Sequence, residues 1–488
     1  MHPLVRYAPV KTLKGTSMET NRRSFIMETN RRSFMMDTGM TAGVLALGPL
    51  AASLAATAPA QAAGKFDFDT PYNRLGTDSV KWDQPLRERH MGHIIAGMTT
   101  ADMDFKCPPA ITAALAKRIQ HENWGYMDMN SPGPQAFKKG LIDWNQKRYG
   151  INNINPELLG ITTGVHSGII ATMRSLCPPG SKVLMATPIY SGFYGDVRAT
   201  KTVAEESLMK QVNGRYEIDW EDFERRMTPD VKVSILCNPQ NPTGRAWTRE
   251  ELTKYGELCL KHKIVVLSDE IHCDFISKGQ KYVPFATLAN KDVVNNSVTY
   301  KSASKSFSLP GMKCAWFFTT NPTLYRQTVD NNRADLSTLG MIGMQAAYAG
   351  GQEWMTECAA YIDGNHEFTN QYIKANIPML KVGAKPEGTY LAWVDISQVA
   401  DKINAKKLAD DMNKNPRINA RTGMAVKATP EDMVNFWFAT NAYVAMNSGT
   451  GYGLGGQNHM RMNLGTSRRT IKAALDSMAA ACKKLQSA

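Results

Sequence analysis

The sequence predicts an α/β fold: a large domain with a mostly parallel, doubly wound sheet, plus a smaller α+β C-terminal domain. Three observations carry this. Between about residues 155 and 320, short apolar runs alternate with amphipathic stretches. The runs are rich in Val, Ile and Leu, and each closes in polar or turn residues. After about residue 331 the alternation gives way to long helical patterns followed by an isolated strand-like run.

In order, SKVLMATP, VKVSILCNP, KIVVLSDE and SVTYKSAS read as strands, and HSGIIATMRSL and REELTKYGELCLKHK as helices between them. Strands apolar on both faces need helices on both faces, which is the parallel, doubly wound arrangement. Farther on, GQEWMTECAAYIDGNHEFTNQYIKAN reads as helix and TYLAWVDI as strand. The predicted organisation is a leader over 1–62, an N-terminal arm and part of the small domain over 63–108, a large domain over 109–345 and the small domain over 346–488. In such folds ligands sit at the carboxyl ends of the strands.

The leader contains METNRRSF twice, at 18–25 and 27–34, and then the uncharged stretch GMTAGVLALGPLAASLAATAPAQA at 39–62. Met18 and Met27 are alternative starts, and only Arg31-Arg32 adjoins the apolar stretch. Twin arginines, a mildly apolar run and an A-x-A ending resemble a twin-arginine (Tat) export signal, which implies engagement of the Tat machinery, cleavage after Ala62 and a periplasmic mature protein. Pro49 and Pro59 and the small residues argue against a stable membrane span.

The formal charge is +13; the leader's seven Lys/Arg and three Asp/Glu account for +4 of it, leaving +9. No basic run is interleaved with aromatics, so nucleic acid is not an expected partner. Eight cysteines lie between Cys107 and Cys482 without a C-x-x-C pair, so neither a metal site nor a disulfide framework is expected.

Four segments fall at predicted strand ends: Thr163-Gly164-Val165-His166, then NPQNPTG with Asn241, then Ser268-Asp269-Glu270-Ile271-His272, then Ser302-Ala303-Ser304-Lys305. Singly each suits an ordinary turn or cap. Together, with FDFDTPYNRLGTDSVKWD, TTADMDF, WGY, TPIYSGFY, SKSFSLPG and GTYLAWVD in that order, they resemble the fold-type I pyridoxal 5'-phosphate (PLP) enzymes, the aspartate aminotransferase superfamily. The similarity is closest to the MalY/PatB-type cystathionine β-lyases.

The resemblance implies a PLP-dependent transferase-like fold, with the cofactor held by residues 109–345, and a role for each matching residue. Lys305 forms the imine with PLP and moves a proton. Asp269 pairs with the ring nitrogen, Asn241 donates to the phenolic oxygen, and His272 stands three residues after the acid. Val165 and His166, at a helix start, and the Ser302 hydroxyl face the phosphate. Tyr190 stacks on the ring. Tyr126 reaches the phosphate of a neighbouring subunit, implying a homodimer with shared active sites. Lys313 stands where many relatives carry a phosphate-pairing Arg, and it supplies charge without a bidentate fork. Arg461, in R-x-N, takes the substrate carboxylate. Arg468 and Arg469 read as surface charges, and Asp102 and Asp104 as loop-stabilising residues. The implied reaction is α,β-elimination on cystathionine- or cysteine-type amino acids, giving pyruvate, ammonia and a thiol. The alternative is an aminotransferase of broad range, and a weaker one is a PLP-fold scaffold that acts by binding alone.

Overall fold

Apolar residues that alternate between two sheet faces can be buried only if both faces are covered, and the large sheet is built on that rule. A computed structural model describes residues 64–89, 91–333, 336–418 and 423–487. The leader, both arginine pairs and the expected cleavage point lie outside the described residues. Seven strands form the sheet: β1 (Leu159–Thr162), β2 (Lys182–Thr187), β3 (Val203–Leu208), β4 (Val231–Cys237), β5 (Val265–Asp269), β6 (Ser297–Lys301) and β7 (Ala315–Phe318). Their spatial order is β1-β7-β6-β5-β4-β2-β3. Neighbours pair in parallel except β7, which runs antiparallel to β1 and β6.

On β2, Val183 and Met185 pack with Val233, Ile235, Leu267 and Val298 on one face. Leu184 and Ala186 pack with Leu236 and Val266 on the other. Each of the Val, Ile, Leu and Met side chains contributes about 1.5–3 kcal/mol on burial, so a one-residue slip of register is strongly disfavoured.

A second sheet contains β8 (Lys381–Val382), β9 (Leu391–Asp395), β10 (Asn447–Ser448) and β11 (His459–Asn463), in the antiparallel order β8-β9-β11-β10. Ala392, Val394, Met460 and Met462 from this sheet pack with Ile373 and with Ile471, Leu475 and Met478. These partners lie on the long helices Gln352–Asn376 and Arg468–Ser487, whose apolar stripes face the sheet. Among the described residues no helix is long and apolar enough to cross a membrane.

The four predicted strands correspond to β2, β4, β5 and β6, and TYLAWVDI contains β9. β1, β3 and β7 complete the sheet without having been singled out. β3 reads VAEESL and is an edge strand, and its Glu205 forms ion pairs with Lys182 (2.8 Å) and Arg226 (2.7 Å). An edge strand needs no continuous apolar run, so it carries no strong sequence signal.

Candidate active site

Strands β1, β2, β4, β5 and β6 run in one direction, so their carboxyl ends open on the same edge of the sheet. β1 leads through Thr163 and Gly164 into helix α1 (Val165–Leu176), which places Val165 and His166 in its first turn. β2 leads to Tyr190, and β4 to Asn241. β5 ends on Asp269 itself. β6 leads to Ser302 and the one-turn helix α2 (Ala303–Ser306), which carries Lys305. Arg461 arrives from the other sheet, on β11.

Asp269 is buried, and its carboxylate accepts the backbone N–H of Ile271 at 3.0 Å. Burial pushes its pKa up to about 6, opposed by that hydrogen bond and by the charges of His166 and Lys305. A carboxylate in this position gains strongly from any protonated partner brought against it. The Lys305 amine is half-buried and donates to the Ala101 carbonyl at 2.6 Å. Burial, then the Arg461 guanidinium, lowers its pKa to about 8, while Asp102 and Asp269 pull the other way. Relative to an ordinary lysine, more of the amine is therefore neutral near pH 7. The His166 Nδ1–H donates to Asp196 at 2.6 Å. Burial disfavours the charged ring, but the Asp196 hydrogen bond and charge and the charge of Asp269 outweigh it, so the pKa is raised.

Arg461 is only 2% exposed. One Nη donates to Asn241 Oδ1 at 3.2 Å and the other to the Thr99 carbonyl at 2.7 Å. The guanidinium lies over the Tyr452 ring, 5.4 Å from its centroid, and its Nε–H has no hydrogen-bond partner. Among the described residues no carboxylate forms an ion pair with it. A buried guanidinium without a counter-charge is costly, and a bidentate carboxylate is the ligand that relieves it.

His272 is buried with its Nδ1 unpartnered and its ring edge-on to Tyr390. Burial, with Lys305 and Arg461 adding to it, drives its pKa well below the usual range, so it stands neutral. The Tyr190 ring lies 5.4 Å from that of His166, and burial pushes its hydroxyl up to about 12. The Ser302 hydroxyl donates to the Cys314 carbonyl at 2.8 Å, so it must turn to face an anion.

Two of the residues singled out from sequence are not drawn into this cluster. Lys313 is exposed, in a left-handed turn with φ 53°. Tyr126 is fully exposed on the protomer. Arg468, read as a surface charge, is half-buried and donates to Asn365 Oδ1 at 3.1 Å; Arg469 pairs with Asp69 at the surface. Asp104 accepts from Lys81 (2.7 Å), Trp82 (2.9 Å) and Arg74 (3.0 Å), which clamps the TTADMDF loop. Sequence reading missed Asp196, which orients His166, and the carbonyls of Thr99 and Ala101. Backbone acceptors have no residue-type signature, and Asp196 gains its role only because the fold brings it to a partner 30 positions away.

The residues present fit PLP. Asp269 offers a buried carboxylate with unused lone pairs, and α1 presents its first-turn N–H groups at the same edge. His272 Nδ1 and Arg461 Nε are buried without a hydrogen-bond partner, so both remain open to a ligand. Among the described residues no group of His, Cys, Asp and Glu could hold a metal ion.

The chain belongs to the class I and II aminotransferase family, whose family model matches residues 94–478. It is 33% identical over 421 residues to the cystathionine β-lyase PatB of Bacillus subtilis, covering 85% of this chain and 99% of that one. Among solved structures it resembles the PLP-bound C–S lyase of Staphylococcus hominis, at 27% identity and a TM-score of 0.73, over 86% of this chain and 99% of that one. Cystalysin of Treponema denticola, which contains PLP, aligns with a TM-score of 0.74 at 25% identity over 86% and 99% of the two chains.

Proposed function

We propose that the protein is a PLP-dependent carbon–sulfur β-lyase acting on cystathionine- or cysteine-type amino acids. The observation that carries its PLP-dependent part is one cluster at the strand ends that combines the Lys305 amine, the buried acid Asp269 and the buried Arg461, which has no carboxylate partner among the described residues; this cluster serves a lyase and an aminotransferase alike. The PatB and C–S lyase likenesses support the lyase over the aminotransferase alternative.

Bound PLP supplies an electron-withdrawing ring that stabilises negative charge at the substrate Cα. Asp269, Asn241, Val165, His166, His272, Ser302, Tyr190 and Lys305 would hold it. Arg461 takes the substrate carboxylate through its free N–H groups, which orients the Cα–H bond toward Lys305. Neutral Lys305 Nζ removes that proton. With sulfur on Cβ, the C–S bond breaks, its electron pair leaves on sulfur, and the three-carbon fragment hydrolyses to pyruvate and ammonia. Incubation with cystathionine is expected to release pyruvate and homocysteine without any keto acid. Strict dependence on a keto acid would establish the aminotransferase instead.

We also propose a homodimer with shared active sites. Tyr126 and Trp124 are exposed on a single protomer, and the family resemblance assigns Tyr126 to a neighbour's phosphate. Mixing inactive Lys305→Ala with a Tyr126→Phe variant of weakened PLP affinity should restore one good site per hybrid dimer; a mixture no better than its parts would exclude shared sites.

Export is a separate proposal resting on the twin arginines: the protein would be loaded with PLP in the cytoplasm and carried folded to the periplasm. Arg31→Lys with Arg32→Lys should leave it in the cytoplasm, and unchanged fractionation would refute this route.

A further inference from the structure

The loop carrying TTADMDF meets Lys305, which follows β6, through the Ala101 carbonyl. Asn463 Nδ2 donates to the Asp102 carbonyl at 2.7 Å, and Lys81 Nζ donates to the same oxygen at 3.1 Å. This pins the backbone so that the Ala101 carbonyl receives both Lys305 Nζ (2.6 Å) and the Tyr390 hydroxyl (2.9 Å). Asp102 follows directly in the chain, its side chain is largely buried, and its charge acts on Lys305. Its Oδ2 accepts from Arg74 at 2.9 Å, but its Oδ1 is buried without any hydrogen-bond partner. A clamp alone would not need that second oxygen. Leaving a carboxylate oxygen buried and unpaired is costly unless its charge serves a neighbour.

We propose that Asp102 is a positioning residue for the reaction: its carboxylate stabilises the Lys305 ammonium against the Ala101 carbonyl and so sets how readily that amine gives up its proton. This rests on the reading of Lys305 as the PLP-binding lysine. Asp104 sits in the same clamp but spends both oxygens, on Arg74, Trp82 and Lys81. The charged and titratable groups around Lys305 are Asp102 from this loop, itself paired with Arg74, Asp269 from the end of β5, Arg461 from β11, His166 from α1, the neutral His272 after β5, and Tyr390, whose hydroxyl shares the Ala101 carbonyl. Burial and Arg461 favour the neutral amine, and Asp102 and Asp269 oppose them. Removing the charge of Asp102 must therefore favour the neutral form.

The test is the pH dependence of PLP uptake by the apoprotein, followed by absorbance. Only the neutral amine attacks the aldehyde, so the wild-type rate should rise about tenfold per pH unit and level off near pH 8. In Asp102→Asn, which can still accept from Arg74, the inflection should move down by about half a pH unit or more. Asp102→Glu should stay near the wild type, and Asp104→Asn should lose stability without moving the inflection. If Asp102→Asn does not fold, Asp102→Ser carries the same expectation. An unmoved inflection in Asp102→Asn, or equal displacement in Asp102→Asn and Asp104→Asn, would overturn the proposal. A wild-type apoprotein that takes up no PLP would overturn the Lys305 reading itself.

Discussion

Lys305→Ala is expected to lower turnover of cystathionine by at least about 10³-fold, because it removes both the covalent anchor for PLP and the base for the Cα proton. The substitution leaves the scaffold largely alone. Lys305 sits in a one-turn helix, and its amine makes a single hydrogen bond, to the Ala101 carbonyl. Unfolding midpoints should therefore stay close to the wild type while activity collapses. Ethylamine supplied in solution should restore part of the rate, since a small neutral amine can enter the space vacated and take the same proton. Loss without rescue, accompanied by loss of fold, would point to a structural role.

Asp269→Asn should cost about 10²–10⁴-fold in turnover. Removing one partner of a buried ion pair is worth about 3–5 kcal/mol, and each 1.36 kcal/mol is tenfold in rate. The carboxylate is buried, and its acceptor capacity is spent on only one backbone N–H, from Ile271. Asparagine preserves that acceptor but cannot hold a proton on a ring nitrogen by charge. The loss should appear mainly in kcat, because the charge is needed when the Cα proton leaves. The same substitution removes an anionic neighbour of His166 and Lys305, so the pH profile should move to lower pH as well. A variant with wild-type kcat would refute the assigned role.

The sheet was legible where physics leaves a strong trace. Runs such as VKVSILC in β4 are apolar on both faces because both faces are covered, and that forces Val, Ile and Leu into sequence. β3 was illegible because an edge strand can carry Glu205 and Glu206, and β7 because four residues, AWFF, are too few to show a period. The chemistry-bearing side chains Lys305, Asp269 and Arg461 could be named because the motifs around them resemble those of the PLP enzymes, whose chemistry demands an amine, an acid and a guanidinium there. Their tuning could not. Arg461 meets Asn241 across 220 positions, and Ala101 serves Lys305 across 204 through a backbone oxygen that any residue would provide. The unpaired Oδ1 of Asp102 is likewise visible only once the loop is folded around it.

All of this turns on one amine holding one aldehyde. Reduction of the PLP-loaded protein with borohydride, followed by proteolysis and mass spectrometry, fixes the cofactor to whichever lysine carries it. The expected result is a single pyridoxyl label on Lys305. A label on another lysine, or none at all, would contradict the account.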